Sequence, residues 1–455
     1  LKQEKFKSIV LLMLVCLSLL LTYQLWYGQQ PVELTADDEN IYERIIIEQP
    51  RPPEQIVSPE VIVIPAENGF YAFREGEQFY YRLWESLLGL MESPFVREQV
   101  EEPVTDLPEE APLILRCYLS PLLPVGTKLS LMPLLPAGEI AMLDLIAGKE
   151  TFWIRFYTAD EKIFAEREIT TAQTAVLKDL IAGVEEEGRV THKLLTGEAA
   201  ASASGENITV TRQIFLPQEQ TMLARLPVKP ESIDREQLLK TFFVDYSLVR
   251  TIEEKDGAVI YTDGEKGLRL TAGGFEYSHP RLEEGVSNQS VPEALNNSGI
   301  LISFHGGWPV GLRLEKIAQS PLGHSVPYIA QWRMYHEGNP LYTAKPTRAV
   351  FNDRGLIHFS RFIYSIQPEE QNSAEMRVNA SWQEALKTAI ALYRDDTGAQ
   401  TEVMQLELEA FNLGYAIIAD FDELWAEPVW QLQINGRRVL LRADNLVQLK
   451  EEDIK

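Results

Sequence analysis

At 455 residues, with 45% hydrophobic and 24% charged residues, the chain is long enough for two to four domains and too apolar for extended disorder. Its formal net charge is −25, the wrong sign for binding a phosphate backbone, so nucleic acid is excluded as a partner and polyanionic wall polymers are disfavoured. Of its two cysteines, Cys16 falls in an N-terminal apolar run and Cys117 in a second apolar stretch, which excludes a disulfide framework in the bulk of the chain.

Lys2, Lys5 and Lys7 open the chain, and no residue from Ser8 to Pro31 is charged. Ile9 to Trp26 is dominated by Leu, Ile and Val. At about 1.5 Å per residue these residues span roughly 27 Å as a helix, enough to cross a hydrocarbon core. Residues 9–27 are therefore expected to form a transmembrane helix. Residues 1–8 become a cytoplasmic tail, because lysines precede the helix while Glu33, Asp37, Asp38 and Glu39 follow it, and the bulk of the chain lies outside the cytoplasm. Tyr23, Trp26 and Tyr27 fall where an interfacial aromatic belt belongs. Ser18, Thr22 and Gln24 can hydrogen-bond a partner helix, although lipid near the interface also tolerates such residues. A cleaved signal peptide is the competing reading, but the exit from Tyr23 to Gly28 offers no small-x-small site.

Beyond the anchor, residues 31–220 read as an α+β domain. A short helix is expected over Ala36 to Glu48, a Pro-rich link at Pro50, Pro52 and Pro53, and a strand over Val61 to Ile64. Tyr80, Leu83, Trp84, Leu87, Leu88 and Met91 recur at helical spacing, predicting a helix over Phe79 to Met91. A hairpin over Phe152 to Phe164 turns near Ala159-Asp160. An amphipathic helix covers Thr171 to Glu186, and a strand Asn207 to Phe215. Pro227 to Pro230 reads as a linker.

A second α+β domain, 230–368, starts with a helix from Ile233 to Val244 that Asp234 can cap. Strands then follow over Leu248 to Glu253, Ala258 to Thr262, Leu268 to Thr271 and Phe275 to Tyr277. Asp256-Gly257 and Asp263-Gly264 separate the first three; such pairs mark hairpins whose two turn positions both need positive φ. A meander continues over Tyr328 to Tyr335, Leu341 to Val350 and Leu356 to Tyr364. The third α+β unit, 372–455, opens with a capping box, Ser381 with Glu384, ahead of a helix from Trp382 to Tyr393. Strands follow over Gly414 to Ala419, Trp430 to Ile434 and Arg438 to Arg442, the last two joined by Asn435-Gly436. Leu239-Lys240-Thr241 and Leu386-Lys387-Thr388 begin similar units, a faint internal repeat.

Motifs for chemistry are sparse. His192, His279, His305, His324, His336 and His358 are scattered, with no metal-ligand spacing. No C-x-x-C, H-E-x-x-H, G-x-S-x-G or P-loop occurs, and His336-Glu337 runs into Gly338-Asn339-Pro340, a turn. Ser303-Phe304-His305-Gly306-Gly307-Trp308 is better read as a Gly-rich exit than as an oxyanion loop. Asp256, Asp263 and Asp353 are better read as turn residues than as an acid–base or calcium set. Trp425 and Trp430, flanking Glu427-Pro428, are expected to close a core. No catalytic, cofactor-binding or metal residue is assigned, so the chain reads as a non-enzymatic binding or regulatory protein.

Several features together resemble the YycH (WalH) family of Firmicutes: the Lys-rich tail, an anchor ending in Leu25-Trp26, and two stretches. These are Phe242-Phe243-Val244-Asp245-Tyr246-Ser247-Leu248-Val249-Arg250 and Ile260-Tyr261-Thr262-Asp263-Gly264-Glu265-Lys266-Gly267-Leu268. Length and topology agree over essentially the whole chain. The resemblance implies an N-terminal domain followed by two α+β domains akin to YycI, and a regulator without enzymatic activity or cofactor. Its implied partners are a YycI-like protein and a WalK-like sensor histidine kinase of a cell-wall two-component system. An extracytoplasmic module that binds peptide or wall fragments in a groove of the first domain is the alternative.

Overall fold

The computed structural model of the chain describes residues 14, 17, 18, 50–51, 56–92, 97–100, 112–125, 138–148, 151–186, 189–243, 248–282, 287–320, 326–366, 376–397, 405–420 and 423–455. Helices are labelled α1 (Gln78–Glu92), α2 (Ala175–Glu186), α3 (Gly197–Ser204), α4 (Arg235–Phe242), α5 (Val291–Phe304) and α6 (Trp382–Thr397). Mixed α+β architecture dominated by antiparallel sheet is what the sequence led us to expect.

Among the described residues, the first sheet has nine strands. Its centre is built from Pro59–Ala66, Leu113–Val125, Gly138–Ala147, Thr151–Tyr157 and Ile163–Thr170, paired antiparallel in that order. Period-2 alternation sends Ile62 and Ile64 to one face and Val61 and Val63 to the other, and all four are buried. Against the Ile62 face, α1 lays Tyr80, Leu83, Trp84, Leu87 and Met91, and α2 adds Leu177, Leu180 and Val184. The helical spacing seen in the sequence is thus the contact stripe. Cys117 sits in this core with no exposure, and burial holds its thiol protonated by pushing its pKa well up. The hairpin from Thr151 turns at Ala159-Asp160 as expected, with Glu161 at φ 60°.

The second sheet runs from the middle of the chain to its end. The four strands Arg250–Glu253, Val259–Thr262, Gly267–Thr271 and Gly274–Ser278 continue through Gly355–Phe362, Thr347–Asn352 and Tyr328–His336. Asn339–Tyr342 then passes the sheet on to Leu406–Asp420 through a parallel pairing, and Glu423–Ile434 and Arg437–Arg442 follow. Asp234 accepts from Gln237 N at 3.1 Å, capping α4 as expected. Ser381 and Glu384 exchange both hydrogen bonds of the capping box on α6. Ser381→Ala is expected to cost about 1 kcal/mol, read as a lowered denaturant midpoint at unchanged m.

Four expectations need correcting. Pro227 to Pro230 is no linker: Leu226–Pro230 is a strand between Glu423–Ile434 and Tyr364–Ile366, with Leu226 and Val228 buried. Prolines mask strands because they lack an N–H, yet alternate positions can still bury apolar side chains. The segment from Asn207 to Phe215 is not one strand. Ile208–Val210 pairs in parallel with Leu406–Leu408 of the second sheet, and Phe215–Pro217 belongs to the first. Leu341 to Val350 breaks at Thr343–Pro346 into two strands that both pair with Tyr328–His336 but on their other sides join Leu406–Asp420 and Gly355–Phe362 respectively. At Asp256-Gly257 and Asp263-Gly264 only the glycines are left-handed, at φ 84° and 95°. The aspartates instead accept backbone N–H groups, Asp256 from Ala258 and Asp263 from Glu265 and Lys266. Asn435-Gly436 does have both turn positions positive, at 47° and 76°.

One consequence of the split strand is an interlock. Between His192–Leu194 and Phe215–Pro217, both in the first sheet, the chain leaves to place α3 and Ile208–Val210 in the far end of the second. Leu195, Ala200, Ile208 and Ile214 share a core with Leu386, Ala389, Phe411 and Trp430.

Candidate functional site

Of the residues expected to meet a partner in the membrane, Ser18 is in helical backbone and exposed. Thr22 and Gln24, and the aromatic belt Tyr23, Trp26 and Tyr27, lie outside the described residues, as does most of 9–27. Among the described residues, no helix is long and apolar enough to cross a membrane. The helix expected over Ala36 to Glu48 also lies outside them.

The motifs that mimicked active sites resolve into packing. Ser303 Oγ accepts from Trp308 Nε1 at 3.0 Å, while His305 Nδ1 contacts Leu301 O at 2.8 Å. The two side chains serve their own loop rather than each other. The His305 ring packs against Phe242 with centroids 4.4 Å apart and the planes tilted by 31°, and meets Phe359 edge-on. Burial lowers its pKa to about 4, so it is neutral at physiological pH. Asp353 accepts from Ser287 Oγ and from the N–H groups of Asn288 and Gln289, fixing the chain that enters α5. His336 lies 6.3 Å from the Tyr415 ring and burial lowers its pKa. Trp430 is buried and donates to Ala380 O at 3.0 Å. Trp425 carries the Arg225 guanidinium 4.5 Å above its ring, and buried Glu427 is met by Arg225, Arg377 and Arg442.

A polar cluster joins the two sheets, and sequence reasoning missed it because its members lie far apart in the chain. Tyr81 OH donates to Glu75 at 2.6 Å and accepts from Gly76 N and Gly311 N, both at 3.2 Å. Gly311 is left-handed at φ 85°, and a Cβ there would lie 2.2 Å from Tyr335 O, so only glycine fits. Beside it, buried Arg313 donates to the carbonyls of Pro59, Ser58 and Ser120. Glu315 pairs with Arg333 at 2.6 Å and is touched by Tyr335 OH at 3.3 Å.

Glu75 is a titratable member of this cluster with little exposure. Burial raises its carboxyl pKa, while the Tyr81 hydrogen bond, Arg313, Arg51 and Tyr80 pull it back. A folded value above the unfolded 4.5 means that the folded protein holds this proton more tightly. Stability from this group is therefore present at low pH and lost as pH rises through the folded value. Glu75→Gln is expected to remove that fall and to leave the protein at least as stable at neutral pH. Denaturant midpoints taken from pH 4.5 upward check this, and a variant whose slope matched the wild type's would contradict it.

Among the described residues, two cavities border the second sheet. One of about 100 Å³ is lined by Trp332, Arg333, Leu341, Thr343, Phe362 and Arg438, and a cleft of about 360 Å³ by Glu231, Ile233, Leu270 and Thr271.

Comparison with known proteins agrees with this geometry. Residues 4–108 match the family model described as YycH protein, N-terminal domain. The fold is similar to the crystal structure of YycH from Bacillus subtilis, with a TM-score of 0.59 at 13% identity, covering 87% of this chain and 98% of that one. The Bacillus megaterium YpeB C-terminal domain matches at 15% identity over 49% of this chain and 97% of that one, but its TM-score of 0.27 carries no argument. No curated protein matches.

Proposed function

We infer that this chain, whose N-terminal domain belongs to the YycH family and whose fold resembles YycH, is a non-enzymatic regulator of a membrane sensor histidine kinase. In this reading it acts with a YycI-type partner on a WalK-like kinase in cell-wall homeostasis signalling. Residues 9–27 hold it in the membrane with the N-terminus inside. The units 31–220, 230–368 and 372–455 stand outside the cytoplasm, the last two akin to YycI.

The observation that carries the reading is the family match over residues 4–108, because it takes in both the predicted anchor and the first strands of the folded part. The physical requirement is modest. A partner that binds one signalling state of the kinase more tightly than the other shifts the population by that difference in affinity, and needs no catalytic group. Ser18, Thr22 and Gln24 would supply interhelical hydrogen bonds, each worth on the order of 1 kcal/mol.

The test is kinase output in a strain lacking this protein, complemented with the whole chain or with residues 1–30 alone. The whole chain is expected to restore the wild-type output and residues 1–30 to shift it part of the way. Output unmoved by either form would sink the reading.

A further inference from the structure

The second sheet ends at Arg250–Glu253, which pairs with Val259–Thr262 on one side; among the described residues no strand pairs with its other side. All four of its residues are exposed, Ile252 by 51%. Glu254 N donates to Ala258 O at 2.8 Å, and this fixes the alternation of the backbone groups. Those of Arg250, Ile252 and Glu254 point into the sheet, and those of Thr251 and Glu253 point out of its edge. Such outward N–H and C=O groups are a template for a further strand.

Side chains divide by the same period. Thr251 lies opposite Tyr261, and Tyr261 opposite Leu268; the last two are buried, so this is the core face. Ile252 lies opposite the half-buried Ile260, and Ile260 opposite Arg269, on the outer face. Arg269 meets three carboxylates there, Glu254 and Asp256 at 2.6 Å and Glu276 at 4.0 Å, and Lys345 meets Glu276 at 2.8 Å. Three anions against two cations leave this group one negative charge in excess. Arg250 is on the same face and makes no ion pair among the described residues.

We propose that strand 250–253 pairs with the same strand of a second copy of this chain, antiparallel about a two-fold axis beside Ile252, so that two sheets become one. In this register Thr251 and Glu253 of the second copy exchange their outward N–H and C=O groups, and the symmetric pair does the same. Ile252 meets its own copy as a non-hydrogen-bonded pair, extending the apolar stripe begun by Ile260. Arg250 stands opposite Glu254 of the second copy, twice over, and supplies each acidic group with the cation it lacks. Centring the axis on Thr251 would also close backbone bonds, but it sets Arg250 against Ile252 and pairs no charges. A slip by one residue would oppose side chains from different faces. The side chains therefore select one register. The pairing is independent of the regulatory reading above.

A four-residue strand makes a small interface, so the association is weak and covalent trapping is the means to see it. The test is Ile252→Cys in the full-length protein in native membranes, with Cys16→Ser in the background; Cys117 has no exposure. A non-hydrogen-bonded pair holds its Cα atoms about 4.5 Å apart, within disulfide reach. Mild oxidation is expected to give a dimer of twice the chain mass on a non-reducing gel. Thr251→Cys is the control, because its two copies would stand roughly 8–9 Å apart in this register, and it should give at least about tenfold less. Adding Arg250→Glu to Ile252→Cys sets a carboxylate against Glu254 and should lower the dimer about threefold or more. No dimer from Ile252→Cys, or as much from Thr251→Cys as from Ile252→Cys, would overturn the proposal. So would a yield that Arg250→Glu leaves unchanged.

Discussion

Replacing Glu231 with alanine is expected to cost about 3–5 kcal/mol, because it strands a buried guanidinium. Arg361 is 1% exposed and receives Glu231 bidentately, with Nε–Oε2 at 2.8 Å and Nη2–Oε1 at 2.7 Å. Its remaining nitrogen, Nη1, is buried without a hydrogen-bond partner among the described residues. Gly306 closes the other side, where a Cβ would lie 2.6 Å from the guanidinium carbon. Glu231 itself is 23% exposed, so water can reach part of the vacated space and the loss should fall toward the lower figure. Denaturant unfolding checks this through a lowered midpoint at constant m. Removing both charges, Glu231→Leu with Arg361→Met, should recover most of the loss, since an apolar pair carries no desolvation cost. A single variant within about 0.5 kcal/mol of wild type would show that the pair is not coupled as described.

The second large effect is expected from Leu386→Ala. Leu386 has no exposure and packs in the core that holds α3, α6 and the last strands, so truncation should cost about 2–5 kcal/mol through lost burial and a cavity. The location of the damage matters more than its size. Ala200 and Ile208 belong to this core although they lie nearly two hundred residues earlier in sequence. Hydrogen exchange should therefore rise in 197–210 together with 382–397, while the first-sheet strands keep their protection. Exchange confined to 382–397 would show that the interlock carries no stability.

Elements with strong local signals were legible. The stripe of α1 is bounded by the apolar periodicity from Tyr80 to Met91, and Asp234 and Ser381 announce helix starts by chemistry that acts within three residues. The hairpins of 250–278 were legible as well. Their turn geometry was not, because an aspartate side chain that accepts the following amides gives the same sequence signature as a left-handed aspartate. Pro227 and Pro230 hid a strand, since its pairing with Leu424–Ala426 rests on residues two hundred positions away. The polar cluster was invisible for the same reason. Glu75, Tyr81, Gly311 and Arg313 form no pattern that sequence neighbours would reveal.

In the proposed function, this chain regulates a sensor kinase by binding it in the membrane. Affinity purification of the tagged full-length protein from native membranes in mild detergent tests it most directly. The kinase and the YycI-like partner are expected to co-purify with it, and replacing residues 9–27 with an unrelated transmembrane helix should lower kinase recovery. Recovery of neither partner from membranes that contain all three proteins would contradict the account.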